Sequence, residues 1–550
     1  MLNRRVRKCT EPARVVHYCL RPGEGMAAVD QAHLERAHAS RNGDRASRDV
    51  PIAILGAGLG GLGMAIRLKQ EGVDDFVVFE RDQDVGGTWW ANSYPGCQCD
   101  IPSHLYSYSF APNPDWTRTY PLQEELGRYA RDCAERFGVM DHVRLGCEVT
   151  GAQWDEPAGR WRIETSDGEF TAGILVAAPG FLSEPSIPDL PGLGSFAGEI
   201  FHTARWNHDH DVTGRRVAVL GTGASAIQAV PAIQPIVAHL SVFQRTPPWV
   251  LPHRDRPISA FERRMYRRFP VMQRLVRAGV YWSREMIVPG LAFEPRMMKA
   301  LQRIALRHME KQVADPELRA KLTPTYVMGC KRILPSNDWY PALQQPNVEL
   351  VTERIREIQP QGILTADGVL HELDTIVLAT GFKVTDISLA HRIRDGQGVS
   401  MADHWQGSPQ AYLGTSVAGY PNFFFVTGPN TGLGHNSLLF MIEAQLSYVL
   451  DALRQMRARG ATRIEVRPDA QEQYNAYVQR RLGRSVWNTG GCSSWYLDKT
   501  GKNTTIWPYF TWRYWQKTRR FDPAPYLLSN GASPSPAAAS TIAAPTTPQP

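Results

Sequence analysis

Ile52-Ala53-Ile54-Leu55-Gly56-Ala57-Gly58-Leu59-Gly60-Gly61 is an apolar run that ends in a glycine-rich turn. The run reads as a buried strand, the turn Gly56-x-Gly58-x-x-Gly61 as a tight bend, and the apolar periodicity that continues to about Gln70 as a helix. Phe76 to Phe79 supplies a second strand that ends in Glu80. This is a βαβ unit of the dinucleotide-binding kind. Its glycines let the backbone approach a pyrophosphate at the helix N-terminus, and the acid accepts hydrogen bonds from ribose hydroxyls.

The same pattern returns further along, with Val217 to Leu220, the turn Gly221-Thr222-Gly223-Ala224-Ser225-Ala226, a helix, and Leu240 to Phe243. The chain therefore reads as an α/β protein with two Rossmann-like dinucleotide-binding domains. The second unit ends in Gln244-Arg245-Thr246 instead of an acid. A carboxylate there repels a 2′-phosphate, whereas an arginine offers it a fork of donors, so this site is expected to take NADPH. Lys331 is a candidate second phosphate ligand.

After Glu80 come Gly86-Gly87-Thr88-Trp89-Trp90 and Tyr94-Pro95-Gly96-Cys97-Gln98-Cys99-Asp100. Two glycines that permit close approach to a flat ring, with aromatics to wall it, point to FAD on the first unit. Strands at Ile174 to Ala178 and Thr375 to Ala379 each run into a glycine turn, which suggests a nested order. We expect a leader over 1–49, an FAD domain over 50–184 and 378–528, an NADPH domain over 185–377, and a disordered tail over 529–550. The leader reads as disordered, or as sequence upstream of a start at Met26. Residues 261–288 look helical, with seven arginines interleaved with apolar residues. They belong to a helical insertion over about 258–325, expected to cover a cleft, with weak membrane-surface association as the alternative.

The rest of the composition excludes several classes. A chain with 43% apolar and 21% charged residues is ordinary for a globular protein, and a net charge of +7 over 550 residues is no nucleic-acid footprint. No uncharged apolar run is long enough for a spanning helix. The eight cysteines are irregularly spaced, and Cys97-x-Cys99 lacks the second pair a metal site needs, so reduced thiols in a cytoplasmic enzyme without a metal are expected.

Between the two turns lies Phe196-x-Gly198-x-x-x-His202-x-x-x-Trp206, preceded by Gly180-Phe181-Leu182-Ser183-x-Pro185-x-x-Pro188-x-x-x-Gly192. Together these resemble the signature of the type I Baeyer–Villiger monooxygenases, class B flavin-dependent monooxygenases, and the resemblance runs from about Ile52 to Tyr526. It implies that NADPH reduces FAD, that O2 forms a flavin C4a-peroxide, and that this attacks a ketone to give an ester or lactone. It also implies roles for residues. Arg332 resembles the catalytic arginine and Asp100 the aspartate that holds it. Tyr106 and Asn436, the latter in Gly428-Pro429-Asn430-Thr431-Gly432-Leu433-Gly434-His435-Asn436-Ser437, join Gly56, Gly58, Gly61, Glu80, Gly87, Thr88, Trp89, Tyr94 and Asp100 as candidate FAD contacts. Gly221, Thr222, Gly223, Ala224, Ser225, Gln228, Arg245, Thr246, Lys331, Arg332 and Trp495 are the candidates for NADPH. Trp495 belongs to a loop over about 485–507 that resembles a mobile cover of that nucleotide. Gly198, His202 and Trp206 are expected to couple the domains.

Asn503 to Trp512 differs from the better-known cycloketone enzymes and resembles more the branch containing 4-hydroxyacetophenone monooxygenase. The rival readings are an N- or S-oxygenating flavin monooxygenase, a two-dinucleotide disulfide reductase, and a non-catalytic nucleotide-binding or membrane-surface protein. Which ketone is oxidised and the oligomeric state are not legible.

Overall fold

The computed structural model describes residues 48–530. Strand β1 (Asp49–Leu55), helix α1 (Leu59–Gln70) and strand β2 (Phe76–Phe79) fall where the apolar runs and the turn put them. β1 pairs in parallel with β2, Ile52 opposite Phe76. Strand β3 (Val143–Arg144) extends the sheet past β2. On the other side β6 (Gly168–Ala177) pairs with β1 and carries the antiparallel strands β5 (Arg160–Thr165) and β4 (Val149–Asp155). β6 starts well before the apolar run at Ile174, because its first half is a hairpin arm that alternates buried and half-buried positions.

The second sheet is wholly parallel. It contains β7 (Glu199–His202), β8 (Arg216–Leu220), β9 (His239–Phe243), β10 (Val348–Val351) and β11 (Thr375–Leu378), in the spatial order β10-β9-β8-β11-β7. Helix α2 (Ala226–Ile233) follows the second glycine turn. Between β9 and β10 lie helices α3 (Ala260–Arg268) and α4 (Pro270–Glu285), followed by helices at Met298–Gln312 and Pro316–Leu322. Pro270 separates α3 from α4, since a proline is tolerated in the first turn of a helix and not in its middle.

After β11 the chain returns to the first sheet. Strand β12 (Ile393–Arg394) pairs with β4, and β13 (Phe423–Phe425) pairs with the last residues of β6. Helices α5 (Leu438–Arg459) and α6 (Thr511–Thr518) follow. The two crossings between the sheets run side by side. Pro185 bridges Phe382, the Ser186 N–H donates to the Gly381 carbonyl at 2.8 Å, and Thr380 Oγ1 donates to the Ser186 carbonyl at 2.6 Å. The expected leader and tail lie outside the described residues except at their inner edges, where Asp49 opens β1 and Ser529 ends a strand paired with Arg463.

The Phe196 to Trp206 string leads into and through β7. A side chain at Gly198 would place its Cβ 2.4 Å from the Asp374 carbonyl oxygen, so only glycine fits where the string enters the sheet. Gly198→Ala should destabilise the protein by about 1–3 kcal/mol, the usual cost of forcing an atom into a filled space. A denaturant melt indistinguishable from that of the unaltered protein would refute this.

Candidate active site

The first turn has the form a phosphate needs. Helix α1 begins without a side-chain cap, so its first amides are open to a ligand. Gly87 has φ +57°, and a Cβ there would sit 2.8 Å from Gly58 Cα, so the loop that carries Thr88 and Trp89 lies directly against the turn. Glu80 is buried. Its carboxylate accepts from the Ala57 N–H at 2.6 Å and the Asp82 N–H at 2.9 Å; burial raises its pKa and these amides act in opposition. Trp89 Nε1 donates to the Tyr106 hydroxyl at 3.1 Å, and the two rings meet edge to face. The turn, the Gly87 loop and Glu80 are thus held together by direct contacts, with Trp89 and Tyr106 joined beside them.

At the second turn α2 also begins without a side-chain cap. Gly223 and Ala224 are exposed, and Thr222 Oγ1 donates to the Thr246 carbonyl at 2.9 Å, tying the turn to the segment after β9. Arg245 is exposed and Lys331 half-buried. Burial lowers the Lys331 pKa, and the neighbouring charge of Arg245 lowers it further. Two cations held within electrostatic reach repel unless an anion joins them, which suits a 2′-phosphate. Arg245→Ala should raise KM for NADPH by about tenfold, the worth of one charge-assisted hydrogen bond, and leave KM for NADH nearly unchanged. Equal effects on both nucleotides would rule out this role.

Asp100 and Arg332 meet where the loop after β2 faces the segment after the helical insertion. Arg332 Nε donates to Asp100 Oδ2 at 2.8 Å and Nη2 to Oδ1 at 2.7 Å, a bidentate pair, while Nη1 donates to the Leu433 carbonyl at 2.9 Å. Burial alone would push the Asp100 carboxyl up, but the charge and hydrogen bonds of Arg332 outweigh it and hold the carboxyl below its usual range. Burial acts to lower the Arg332 pKa, and Asp100 more than offsets it, so the guanidinium stays charged. Nearby, burial pushes the Tyr496 phenol up to about 12, and its hydroxyl has no hydrogen-bond partner among the described residues. Tyr496 is a polar group at this site that the sequence reading passed over. The adjacent Trp495 is 44% exposed, unlike a core tryptophan.

Other expected residues have unexpected partners. Gln228 Oε1 accepts from the Tyr94 hydroxyl at 2.9 Å and Gln228 Nε2 donates to the Gln98 carbonyl at 2.9 Å, so a candidate NADPH contact is bonded to the FAD-side loop. Asn436 is buried and its amide donates to Glu285 Oε1 at 2.7 Å. His202 is buried, with Nδ1 accepting from the Ala204 N–H at 3.0 Å; burial lowers its pKa to about 4. Trp206 packs against the main cores of both sheets.

Two features were not foreseen. The expectation of reduced thiols is corrected at Cys330 and Cys492, which form a disulfide next to Lys331 and Arg332. Their separation by 162 residues gave no sequence signal, because only the fold brings the two loops together. Cys97, Cys99, Cys133 and Cys147 are free and buried. Burial pushes the Cys97 thiol up to about 12, so Cys97-x-Cys99 does not present the thiolates that a disulfide reductase needs. The second feature is Glu285, at 2% exposure, which accepts from Asn436, from His435 Nε2 at 3.2 Å, and from the Thr511 N–H and hydroxyl at 3.0 and 2.7 Å.

Residues 53–261 match the model of a family described as pyridine nucleotide-disulphide oxidoreductase. A protein of Pseudomonas aeruginosa named Baeyer-Villiger monooxygenase is 50% identical over 486 residues, 88% of this chain and 92% of the relative. The chain belongs to the Baeyer–Villiger monooxygenase family. The structure of cyclohexanone monooxygenase from Rhodococcus sp. Phi1 bound to NADP+ matches this monooxygenase with TM-score 0.78 and 29% identity, over 88% of this chain and all of the other. A structure described as OTEMO complexed with FAD and NADP matches with TM-score 0.79 at 28% identity, over 87% of this chain and 99% of the other. Membership in this flavin-dependent family leaves the N- or S-oxygenating, disulfide-reducing and non-catalytic readings without support.

Proposed function

We propose that this monooxygenase holds FAD on the first turn and NADPH on the second, and converts a ketone, O2, NADPH and a proton to an ester or lactone, water and NADP+. The observation that carries the reading is the Asp100–Arg332 pair, a guanidinium kept charged and fixed by two partners. Bound FAD supplies the oxygen-activating chemistry and NADPH the electrons. The chain supplies position. Asp100 and the Leu433 carbonyl engage three guanidinium N–H groups, which leaves the others for an oxygen atom that develops negative charge, in a geometry needing no reorganisation. In this proposal Arg332 is the catalytic cation and Asp100 orients it.

The FAD contacts are Gly56, Gly58, Gly61, Glu80, Gly87, Thr88, Trp89, Tyr94, Tyr106 and the backbone near Asn436. The NADPH contacts are Gly221, Thr222, Gly223, Ala224, Ser225, Arg245, Thr246, Lys331 and Trp495, with Gln228 acting through Tyr94. The proposed domains are 50–184 with 378–528 for FAD and 185–377 for NADPH, and 485–507 covers the nicotinamide. The two sheets, the paired crossings and the exposure of Trp495 support this division. Gly198, His202 and Trp206 couple the domains, supported by the packing of Trp206 against both cores. A cytoplasmic location is part of the proposal, and the observation against it is Cys330–Cys492, since disulfides are rare there.

We also propose that the chain sits near the 4-hydroxyacetophenone monooxygenase branch, after the likeness of Asn503 to Trp512 to it. Its support is that this segment lies against the glycine-rich loop before α5. Asn430 Nδ2 donates to the Asn503 carbonyl at 2.8 Å, and Gly432 bridges Ile506. Oxygen uptake and product mass over cyclic, linear, aryl and steroid ketones test both levels. Turnover of cyclic but not aryl ketones overturns the branch, and no ketone-dependent oxygen insertion overturns the function.

A further inference from the structure

Helix α4 is mounted with its polar face inward. Gln273, Arg277, Tyr281 and Glu285, spaced four residues apart, lie on one side of the helix and reach the body of the protein. Gln273 donates to the Asn113 carbonyl at 2.6 Å, Arg277 to the carbonyls of His104 and Ser107 at 2.8 and 2.9 Å, and the Tyr281 hydroxyl pairs with Thr511 at 3.0 Å. A separate, outward face is an open apolar stripe of Val271, Leu275, Ala278 and Trp282, continued by Met286 just past the helix end. Leu275 is 62% exposed, Trp282 56% and Met286 78%. A surface helix ordinarily does the reverse, and a contiguous exposed apolar stripe marks a contact surface.

The charges around the stripe say what it meets. Arg264 and Arg268 on α3, beside the exposed Phe261, and Arg274 on α4 face solvent and form no ion pair among the described residues. The acids of the two helices are engaged elsewhere: Glu285 is buried, and Glu262 is held by Arg256 and Ser259. A second copy of the chain packed through this face would set arginine against arginine. No helix among the described residues is long and apolar enough to cross a membrane. An apolar stripe with tryptophan and arginine fits a surface that is apolar beneath and anionic at its rim.

We propose that the α3–α4 face docks on the surface of an anionic lipid bilayer, with Leu275, Trp282 and Met286 inserted at headgroup depth and the arginines against lipid phosphates. The docking needs no turnover, so its test is independent of the ketone reading. FAD-loaded protein is floated with vesicles of phosphatidylglycerol and phosphatidylcholine, and with phosphatidylcholine alone. It should float with the anionic vesicles and not with the neutral ones, and added salt should weaken the binding. The double variant Leu275→Glu, Trp282→Glu should stay unbound while keeping NADPH-dependent flavin reduction, which controls for folding. Arg264→Gln and Arg274→Gln should each lower partitioning about fivefold. Absence of flotation with anionic vesicles overturns the proposal, as does equal flotation of the double variant. Light scattering that finds a dimer dispersed by the same double variant, without vesicle binding, also overturns it and assigns the face to a second copy.

Discussion

Arg332→Ala should lower kcat for ketone oxygenation by roughly a hundred- to a thousandfold, the cost of removing one fixed donor from a developing oxyanion. Flavin reduction by NADPH, measured without oxygen, should fall far less, because that step needs the nucleotide turns and not the guanidinium. Arg332→Lys should recover only part of the loss. An ammonium keeps the charge but cannot span both Asp100 oxygens and the Leu433 carbonyl. Arg332→Ala also strands Asp100, a half-buried carboxylate without its partner, at a stability cost of up to about 3 kcal/mol. The pH sign follows from Asp100. Its carboxyl is held below the usual range in the folded protein, so the pair's stabilisation is complete above the ordinary aspartate value of about 4 and fades as pH falls through the folded one. Ketone oxygenation by Arg332→Ala at the unaltered rate would sink the proposed chemistry.

Glu285→Ala should be the most destabilising single change away from the cofactor turns, by about 3–5 kcal/mol. The carboxylate satisfies donors from His435, Asn436 and Thr511, and its loss leaves them unpaired in a buried site. Glu285→Gln should also be costly, because an amide offers one acceptor oxygen where the carboxylate offers two. Burial raises the Glu285 pKa, while the hydrogen bond and charge of His435 and the bonds from Thr511 and Asn436 lower it more. Its contribution is therefore present above the ordinary glutamate value of about 4.3 and lost as pH falls. Urea melts of the two variants at neutral pH measure the effect; midpoints within error of the unaltered protein would show that the network is dispensable.

How much of this the sequence disclosed depends on the range of each interaction. The βαβ units were legible because strand, turn and helix are adjacent in the chain, and their periodicities change where the structure changes. Arg245 was legible because it occupies a fixed offset from a strand end. Asp100 and Arg332 were joined only through the family likeness, since no local pattern relates residues 232 apart. Glu285 was not legible. In α4 the usual rule sends apolar residues inward, and here the inward face is Gln273, Arg277, Tyr281 and Glu285, whose partners come from distant parts of the chain. Cys330 and Cys492 were missed for the same reason, as their pairing follows from tertiary structure alone.

The two hydrogen-bonded crossings between the sheets bear on how the chain assembles. β6 and β13 pair although the whole second sheet and its helices intervene in sequence, a separation that would make closure slow and entropically costly for an unstructured loop. Once the second sheet has formed, however, its two ends are fastened together at Pro185 and Phe382. From the first sheet, everything between those ends then has the effective length of a tight hairpin. With its ends so fastened, the insertion is a short connection for the host sheet, which lowers the entropic cost of pairing β6 with β13.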